Sequence, residues 1–261
     1  MSEQRQNPAW PDIVNFRDVG GVMGADGHLV KTGLIFRGIA LNDASAQDLA
    51  KLAGLGIGLV FDLRGLGEAA SWPDRLPPGA DYRREAAMLP KGDDPMESLN
   101  WEAFMQQVAA SPQALAAALV FQANLYADMI RRPNAFNVLL HEMLTHPGRG
   151  VYIHCSAGKD RTGIACAIIA RLLGVGYDDA LADYLKSADY PLPDFDVVRA
   201  RAAELGVSAL IDPMTEVSKP QFDTMYAEPD QAWGSWDGFV RDGLGLGDHD
   251  VAQLRQMYLI T

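Results

Sequence analysis

Gly150-Val151-Tyr152-Ile153-His154-Cys155-Ser156-Ala157-Gly158-Lys159-Asp160-Arg161-Thr162-Gly163 changes character halfway along. Its first five residues are a short apolar run ending in a polar residue, which predicts a buried strand whose C-terminal end reaches a surface. Gly163 to Leu173 reads as a packed helix. A tight loop lies between them. Gly158 gives that loop access to unusual dihedrals, so its amides can converge on one point as an anion-binding nest. The following helix aims its N-terminus at the same point. Arg161, six residues beyond Cys155, can bring a planar guanidinium over the nest. The same positive field suits an anionic sulfur as nucleophile.

These parts fit one reaction. A phosphate dianion sits in a cradle made by Ser156, Ala157, Gly158, Lys159, Asp160, Arg161 and Thr162. The Cys155 sulfur attacks phosphorus in line, giving a phosphocysteine. Arg161 and the amides stabilise the equatorial oxygens, Thr162 can donate a hydrogen bond to the departing sulfur, and water releases phosphate. The scheme needs no metal and no cofactor, and no His, Cys or Asp cluster in the sequence has metal-ligand spacing. A plain buried cysteine in a strand-to-helix turn would leave Arg161 and the glycines unexplained.

Composition narrows the alternatives. The chain has 261 residues, 48% hydrophobic and 21% charged, with a net charge of −12 and a pI near 4.7. That length supports a self-sufficient core, and the acidic balance argues against nucleic acid or an anionic membrane as partner. Two cysteines, Cys155 and Cys166, are too few for a disulfide framework and fit a reducing compartment. Met1 to Trp10 lacks an apolar signal core, and the most apolar windows, Ala114–Phe121 and Gly163–Gly174, are too short to span a bilayer. A cytoplasmic location is expected, although leaderless export would leave no trace here.

Strand and helix signals alternate along the chain. Turn residues surround a hairpin near Gly20-Gly21 and Asp26-Gly27, and Leu34–Phe36 is a short strand. Asp43 or Ser45 can cap a helix over 46–54. Gly56–Asp62 is a buried strand, 66–71 a short helix and Tyr82–Leu89 another strand. Residues 98–131 are helix-rich, interrupted at Ser111-Pro112. Asn134 can cap a helix to His146. Helical periodicity dominates 176–205, and two helices follow. One α/β domain over 1–261, with a mainly parallel sheet flanked by helices, is the architecture predicted.

The loop's Cys-x₅-Arg followed by Thr resembles the P-loop of cysteine phosphatases. The fuller pattern from His154 to Gly163 resembles a bacterial branch of atypical tyrosine phosphatases. Asn15-Phe16-Arg17-Asp18-Val19-Gly20-Gly21, Phe36-Arg37, Asp62-Leu63-Arg64, Ala182-Asp183-Tyr184-Leu185-x-Ser187 and the tail from Trp236 through Leu246 to Leu254 resemble that branch's other landmarks. The resemblance implies a tyrosine-phosphatase fold with an added helical lid, for which 91–131 is the candidate. It also implies hydrolysis of phosphotyrosine, with phosphoserine/threonine or phosphoinositides as further substrates associated with the Lys-Asp pair. The alternatives are a phosphoinositide or inositol-phosphate phosphatase, a phospho-binding module without turnover, and a sulfurtransferase.

The leaving oxygen needs a proton donor, and four aspartates compete. Trp72-Pro73-Asp74 spells the acid loop of the large receptor-type tyrosine phosphatases, which the chain does not otherwise resemble. Asp93 follows the strand over 82–89, where the resembled branch places its acid. Asp160 lies inside the loop itself. Asp62 ends a strand at the same edge and suits pairing with Arg64. Lys159 is either a contact for a second anionic group or a solvated lysine. Arg17 and Arg64 can support the loop. His154 reads as a core histidine orienting the loop. Cys166 reads as a small buried apolar residue too far along its helix to pair with Cys155.

Overall fold

The computed structural model describes residues 10–87, 101–190 and 193–260. Its five strands are β1 (Arg17–Asp18), β2 (Ile35–Gly38), β3 (Ile57–Asp62), β4 (Asp81–Arg84) and β5 (Gly150–His154), in the order β1-β2-β5-β3-β4. Only β1 runs antiparallel. The expected mainly parallel sheet is therefore present, and β5 lies at its centre. Gly38, His154, Asp62 and Arg84 line up across the sheet at the C-terminal ends of β2, β5, β3 and β4. In open parallel sheets that edge is where ligands bind.

Alternation along β5 decides which helices cover each face. Val151 and Ile153 pack into the main core with α5 (Asn134–Thr145), α6 (Asp160–Leu172) and the second half of α4 (Pro112–Arg131). Tyr152 faces the opposite way, into a smaller cluster with Phe16, Phe36, Leu49, Leu52 and Val60 under α1 (Ala46–Gly54). Ser45 caps α1: its Oγ accepts from the Asp48 amide at 3.1 Å, and Asp48 returns a bond to the Ser45 amide. Such a capping box satisfies donors that a helix start leaves open. Helix α6 is buried at every position from Arg161 to Ala170, as expected of a helix hydrophobic all round. It begins at Asp160, three residues before the start read from the sequence, so it grows directly out of the loop.

α2 (Leu66–Ser71) follows β3 as predicted. The remaining α-helices among the described residues are α3 (Trp101–Ala109), α7 (Tyr177–Leu185), α8 (Pro193–Leu205), α9 (Ser208–Thr215), α10 (Lys219–Trp233), α11 (Trp236–Gly238) and α12 (Asp248–Tyr258). Met105, Val108, Ala202, Val207, Leu210 and Ile211 form a separate core that joins α3 to α8 and α9, with Leu115, Ala118 and Leu119 of α4 against it. The second half of α4 instead enters the main core through Tyr126, Met129 and Ile130.

Three local readings change. β4 stops at Arg84, short of the expected Leu89. Beyond Arg84, Glu85 and Ala87 each donate to the neighbouring β3 segment outside a regular ladder. Asn134 is the first helical residue of α5 and not its cap, which is Pro133. The chain after residue 205 forms more helices than the two expected, because Ser218 and Ser235 each accept a backbone bond that starts a new one. No described helix is long and apolar enough to cross a membrane.

Candidate active site

Cys155 follows the last residue of β5 and is 2% exposed. The chain then turns through Ser156–Lys159 into α6. Gly158 has φ +66°, and a Cβ there would lie 2.1 Å from the Gly38 carbonyl oxygen. Both the left-handed dihedral and the contact with β2 require glycine.

Behind the loop, one arginine and an asparagine collect its carbonyls. Asn15 Nδ2 donates to Gly158 O at 2.9 Å and Ala157 O at 3.3 Å, and Arg37 Nη2 donates to Gly158 O at 2.8 Å. Lys159 O accepts the Gly163 amide at 2.8 Å as α6 begins. A peptide unit is planar and trans, so its carbonyl and amide point in opposite directions. Drawing the carbonyls of 157 and 158 to the rear turns the amides of Gly158 and Lys159 to the front. Asp183 holds the arginines in turn, with Arg17 Nε and Arg37 Nη1 each 2.6 Å from its carboxylate. Ser187 Oγ accepts from Arg17 Nη2 at 3.2 Å, and Asn15 Oδ1 accepts from Arg17 Nη1. Asn15 itself sits at φ +59°, which asparagine tolerates better than most residues. Burial opposes ionisation of Asp183, but Arg37 and Arg17 outweigh it and hold its carboxyl at about 2. Two guanidiniums against one carboxylate leave a net positive charge behind the nest. The N-terminal, Phe-Arg and Asp-Tyr-Leu landmarks thus converge on one network.

The front of the loop has a partner the sequence did not reveal. Glu68, on α2, accepts from Arg161 Nη1 at 2.6 Å and Nη2 at 2.9 Å. It also accepts from Ser156 Oγ at 2.7 Å and the Gly65 amide at 3.0 Å. Burial would raise the Glu68 carboxyl, but Arg161 and these hydrogen bonds bring it down to about 2. Burial pulls the other way on Arg161, where the charges of Glu68 and Cys155 raise it above its ordinary value. Thr162 Oγ1 is buried with no hydrogen-bond partner among the described residues.

Asp62 and Asp74 belong to a structural cluster beside the loop. Arg64 binds Asp62 at 2.8 Å and Asp74 at 2.5 Å, Tyr82 OH donates to Asp62 at 2.7 Å, and the Leu41 amide donates to Asp74 at 2.6 Å. Burial would raise Asp62, yet His154 and Arg64 hold it at about 2. His154 is fully buried, its Nδ1 3.1 Å from Cys155 O and its Nε2 3.3 Å from Asp74 Oδ2, off the hydrogen-bonding angle. Asp62, Asp74 and His154 come close enough to resemble metal ligands, a cluster invisible in the linear spacing. Arg64 already supplies a cation between the two carboxylates. The Asp74 carboxylate is 1% exposed and held by Arg64 and the Leu41 amide, so it does not form an acid loop over the nest.

Lys159 is neither solvated nor free for a second anion. It is 3% exposed, with Nζ 2.8 Å from the Asp160 carboxylate and 2.9 Å from the Glu216 carbonyl after α9. Asp160 also accepts from Tyr126 OH of α4, which meets Tyr184 OH of α7 at 2.6 Å. The loop's charged pair therefore joins three of the surrounding helices. Cys166 is buried beside Arg37, and burial pushes its thiol up to about 11. Asp93, with the 88–100 segment, lies outside the described residues.

Cys155 and the turn into α6 thus lie at the C-terminal edge of a parallel sheet, with Arg161 held at the front by Glu68. The chain belongs to the tyrosine phosphatase family, whose sequence profile matches residues 8–260. A protein of Cupriavidus necator provisionally named a tyrosine-protein phosphatase is 36% identical over 257 residues, covering 98% of this chain and 89% of that one. The triple specificity protein phosphatase PtpB of Mycobacterium tuberculosis is 29% identical over 283 residues, 95% of this chain and 98% of its own. A tyrosine-protein phosphatase of Nostoc commune matches over 146 residues at 30% identity, 55% of this chain and 44% of that one.

Proposed function

We propose that Cys155, Arg161 and the Ser156–Thr162 cradle carry out phosphomonoester hydrolysis, with protein phosphotyrosine as the substrate. The observation that carries this reading is the buried Cys155 inside a loop whose carbonyls are drawn backwards while Arg161 is held at its front. The phosphate dianion sits on the amides, and the Cys155 sulfur attacks phosphorus opposite the tyrosine oxygen. An S–P bond forms as the P–O bond breaks, and the leaving oxygen takes a proton from a carboxylic acid. Water then attacks the phosphocysteine, the carboxylate takes its proton, and inorganic phosphate and the sulfur nucleophile are restored.

Asp93 is the proposed acid. Asp160 already serves Lys159 and Tyr126 and would have to leave one of them to reach the leaving oxygen. Asp93→Asn should depress turnover most for poor leaving groups, whereas the same pattern in Asp160→Asn alone would move the role to Asp160. The Lys159 ammonium is occupied, so it adds no contact for a second phosphate, which favours a monophosphate ester over a phosphoinositide. The two free cysteines fit a reducing, cytoplasmic setting. The separate core of α3, α8, α9 and the first half of α4 is proposed as a cover over the nest, anchored through Tyr126 and Lys159. Vanadate should slow hydrogen exchange in these helices if they close over it.

The deciding assay is phosphate release from a phosphotyrosine peptide and from a soluble phosphoinositide, wild type against Cys155→Ser, with a chelator present. Turnover of the peptide that the chelator leaves intact and the substitution abolishes is expected. Faster release from the phosphoinositide would reverse the substrate order. Vanadate binding without any turnover would point to the binding module.

A further inference from the structure

β4 is the last strand of its sheet, and its outer side is bare. The Glu85 and Ala87 amides turn inward, to the carbonyls of Asp62 and Leu63. Backbone groups alternate along a parallel ladder, so the N–H and C=O of Tyr82, Arg84 and Ala86 turn outward. None of these groups has a hydrogen-bond partner among the described residues. Such a row is a template for another strand. It ends at the C-terminal edge of the sheet, where Arg84, Asp62 and His154 stand side by side and Cys155 follows. At about 4.8 Å per strand, a chain laid against β4 would run roughly 14 Å from β5, a span that about four extended residues cover.

Charge decides what can lie there. Arg84 donates to the Arg64 carbonyl at 3.3 Å and has no carboxylate partner among the described residues. In a chain of net charge −12, an uncompensated guanidinium at the catalytic edge of the sheet is a contact for an anion. A second copy of this chain does not fit. Antiparallel pairing of two β4 edges about Arg83 would set that guanidinium opposite its own copy, and like charges across a sheet repel. A strand carrying Asp or Glu does fit, because side chains opposite each other on neighbouring strands share a face.

We propose that the outer edge of β4 receives an extended segment of the phosphoprotein substrate as an added strand, with an acidic side chain of that segment on Arg84 and the phosphotyrosine carried over the end of the sheet into the nest. This rests on the phosphotyrosine reading above and deepens it. Main-chain bonds supply affinity that tolerates many sequences, and Arg84 supplies a preference among them. A bare aryl phosphate has no amides to pair. The edge therefore acts on KM for peptides and leaves the chemical step alone.

The test uses a phosphotyrosine peptide flanked on both sides by acidic residues, with p-nitrophenyl phosphate as the bare ester. On each side the peptide is N-methylated at every second amide, in either of the two possible phases. Methylation in the phase that faces β4 should raise KM by about tenfold. The other phase should barely change it, and kcat should be the same for both. Arg84→Glu should raise KM for the acidic peptide by about tenfold and lower it for a version with lysines in place of the acids. Equal effects of the two phases overturn the proposal. So does an Arg84→Glu enzyme that treats the acidic and lysine peptides as wild type does, or one that loses p-nitrophenyl phosphate turnover to the same extent. A dimer in sedimentation that Arg84→Glu disperses would give the edge to a second copy and overturn it as well. A wild type that turns over neither substrate would instead remove the phosphatase reading, and calorimetric binding of the two methylated phases to Cys155→Ser would still judge the added strand.

Discussion

The back and the front of the loop are both built from a carboxylate and arginine, yet they are finished differently. At the back, Asp183 binds two arginines that are at most 1% exposed, and their other Nη donors go to Gly158, Asn15 and Ser187, with Arg37 Nε the one guanidinium nitrogen there left without a partner among the described residues. Nearly every group there is satisfied. At the front, Glu68 takes one edge of Arg161 and the other edge is open, while Thr162 keeps an unpartnered hydroxyl. A saturated network gives shape, because each of its bonds would be lost by moving. An unsaturated one gives reactivity, because its free donors are where charge will appear. The difference separates residues whose loss should cost folding from residues whose loss should cost only turnover.

That division can be broken experimentally. Cys155→Ser at the front should reduce turnover by at least about 10⁴-fold with little change in melting temperature. A matching loss of stability would erase the distinction. Asp183→Asn at the back should do the converse. It leaves two buried guanidiniums short of a counter-charge, for a cost of about 3–5 kcal/mol and a fall of roughly 10 °C in melting temperature. Calorimetry that finds the variant as stable as wild type would show that the network is not structural.

Acid sharpens the comparison. Asp62, Glu68 and Asp183 are each held at about 2, against roughly 4 in an unfolded chain. A depressed folded value contributes stability that is complete above the unfolded pKa and disappears as pH falls through the folded one. Urea midpoints should therefore drop between pH 4 and pH 2, and Asp183→Asn should flatten that slope. An unchanged slope would assign the acid sensitivity elsewhere. The smallest effect is expected of Tyr126→Phe, which removes the hydroxyl between Asp160 and Tyr184 and should cost about 1 kcal/mol with turnover nearly intact. A large drop in kcat would move Tyr126 into the chemistry.

Much of this was legible because the chemistry of the loop is local. Strand, cysteine, glycine and arginine fall within the twelve residues from Gly150 to Arg161, and the periodicity around them predicted β5 and α6 to within a few positions. Helix α2 and the break at Ser111-Pro112 were equally plain, since each has its own cap or breaker. Glu68 was missed because its contact with Arg161 spans 93 positions, and a single glutamate near a helix start looks like an ordinary N-terminal acid. The available signal was Arg161 itself: a buried arginine needs a partner. The partners of Lys159, left open between a second anion and solvent, were hidden for the same reason. A lysine in a loop suggests solvent until helices from elsewhere in the chain close around it. The metal-like trio of Asp62, Asp74 and His154 likewise appears only when β3, the segment after α2 and β5 meet.

The salt bridge beneath the loop also sets an order of events during synthesis. Arg17 and Arg37 precede Asp183 by 166 and 146 positions. At a ribosomal rate of about 5–20 residues per second, roughly seven to thirty-three seconds pass between them. Throughout that interval both cations lack the anion that lets them be buried, and the nascent chain carries Cys155 before its cradle can be braced from behind. Emergence of α7 then supplies the brace behind the cradle, and Lys159 waits longer still, for the Glu216 carbonyl after α9.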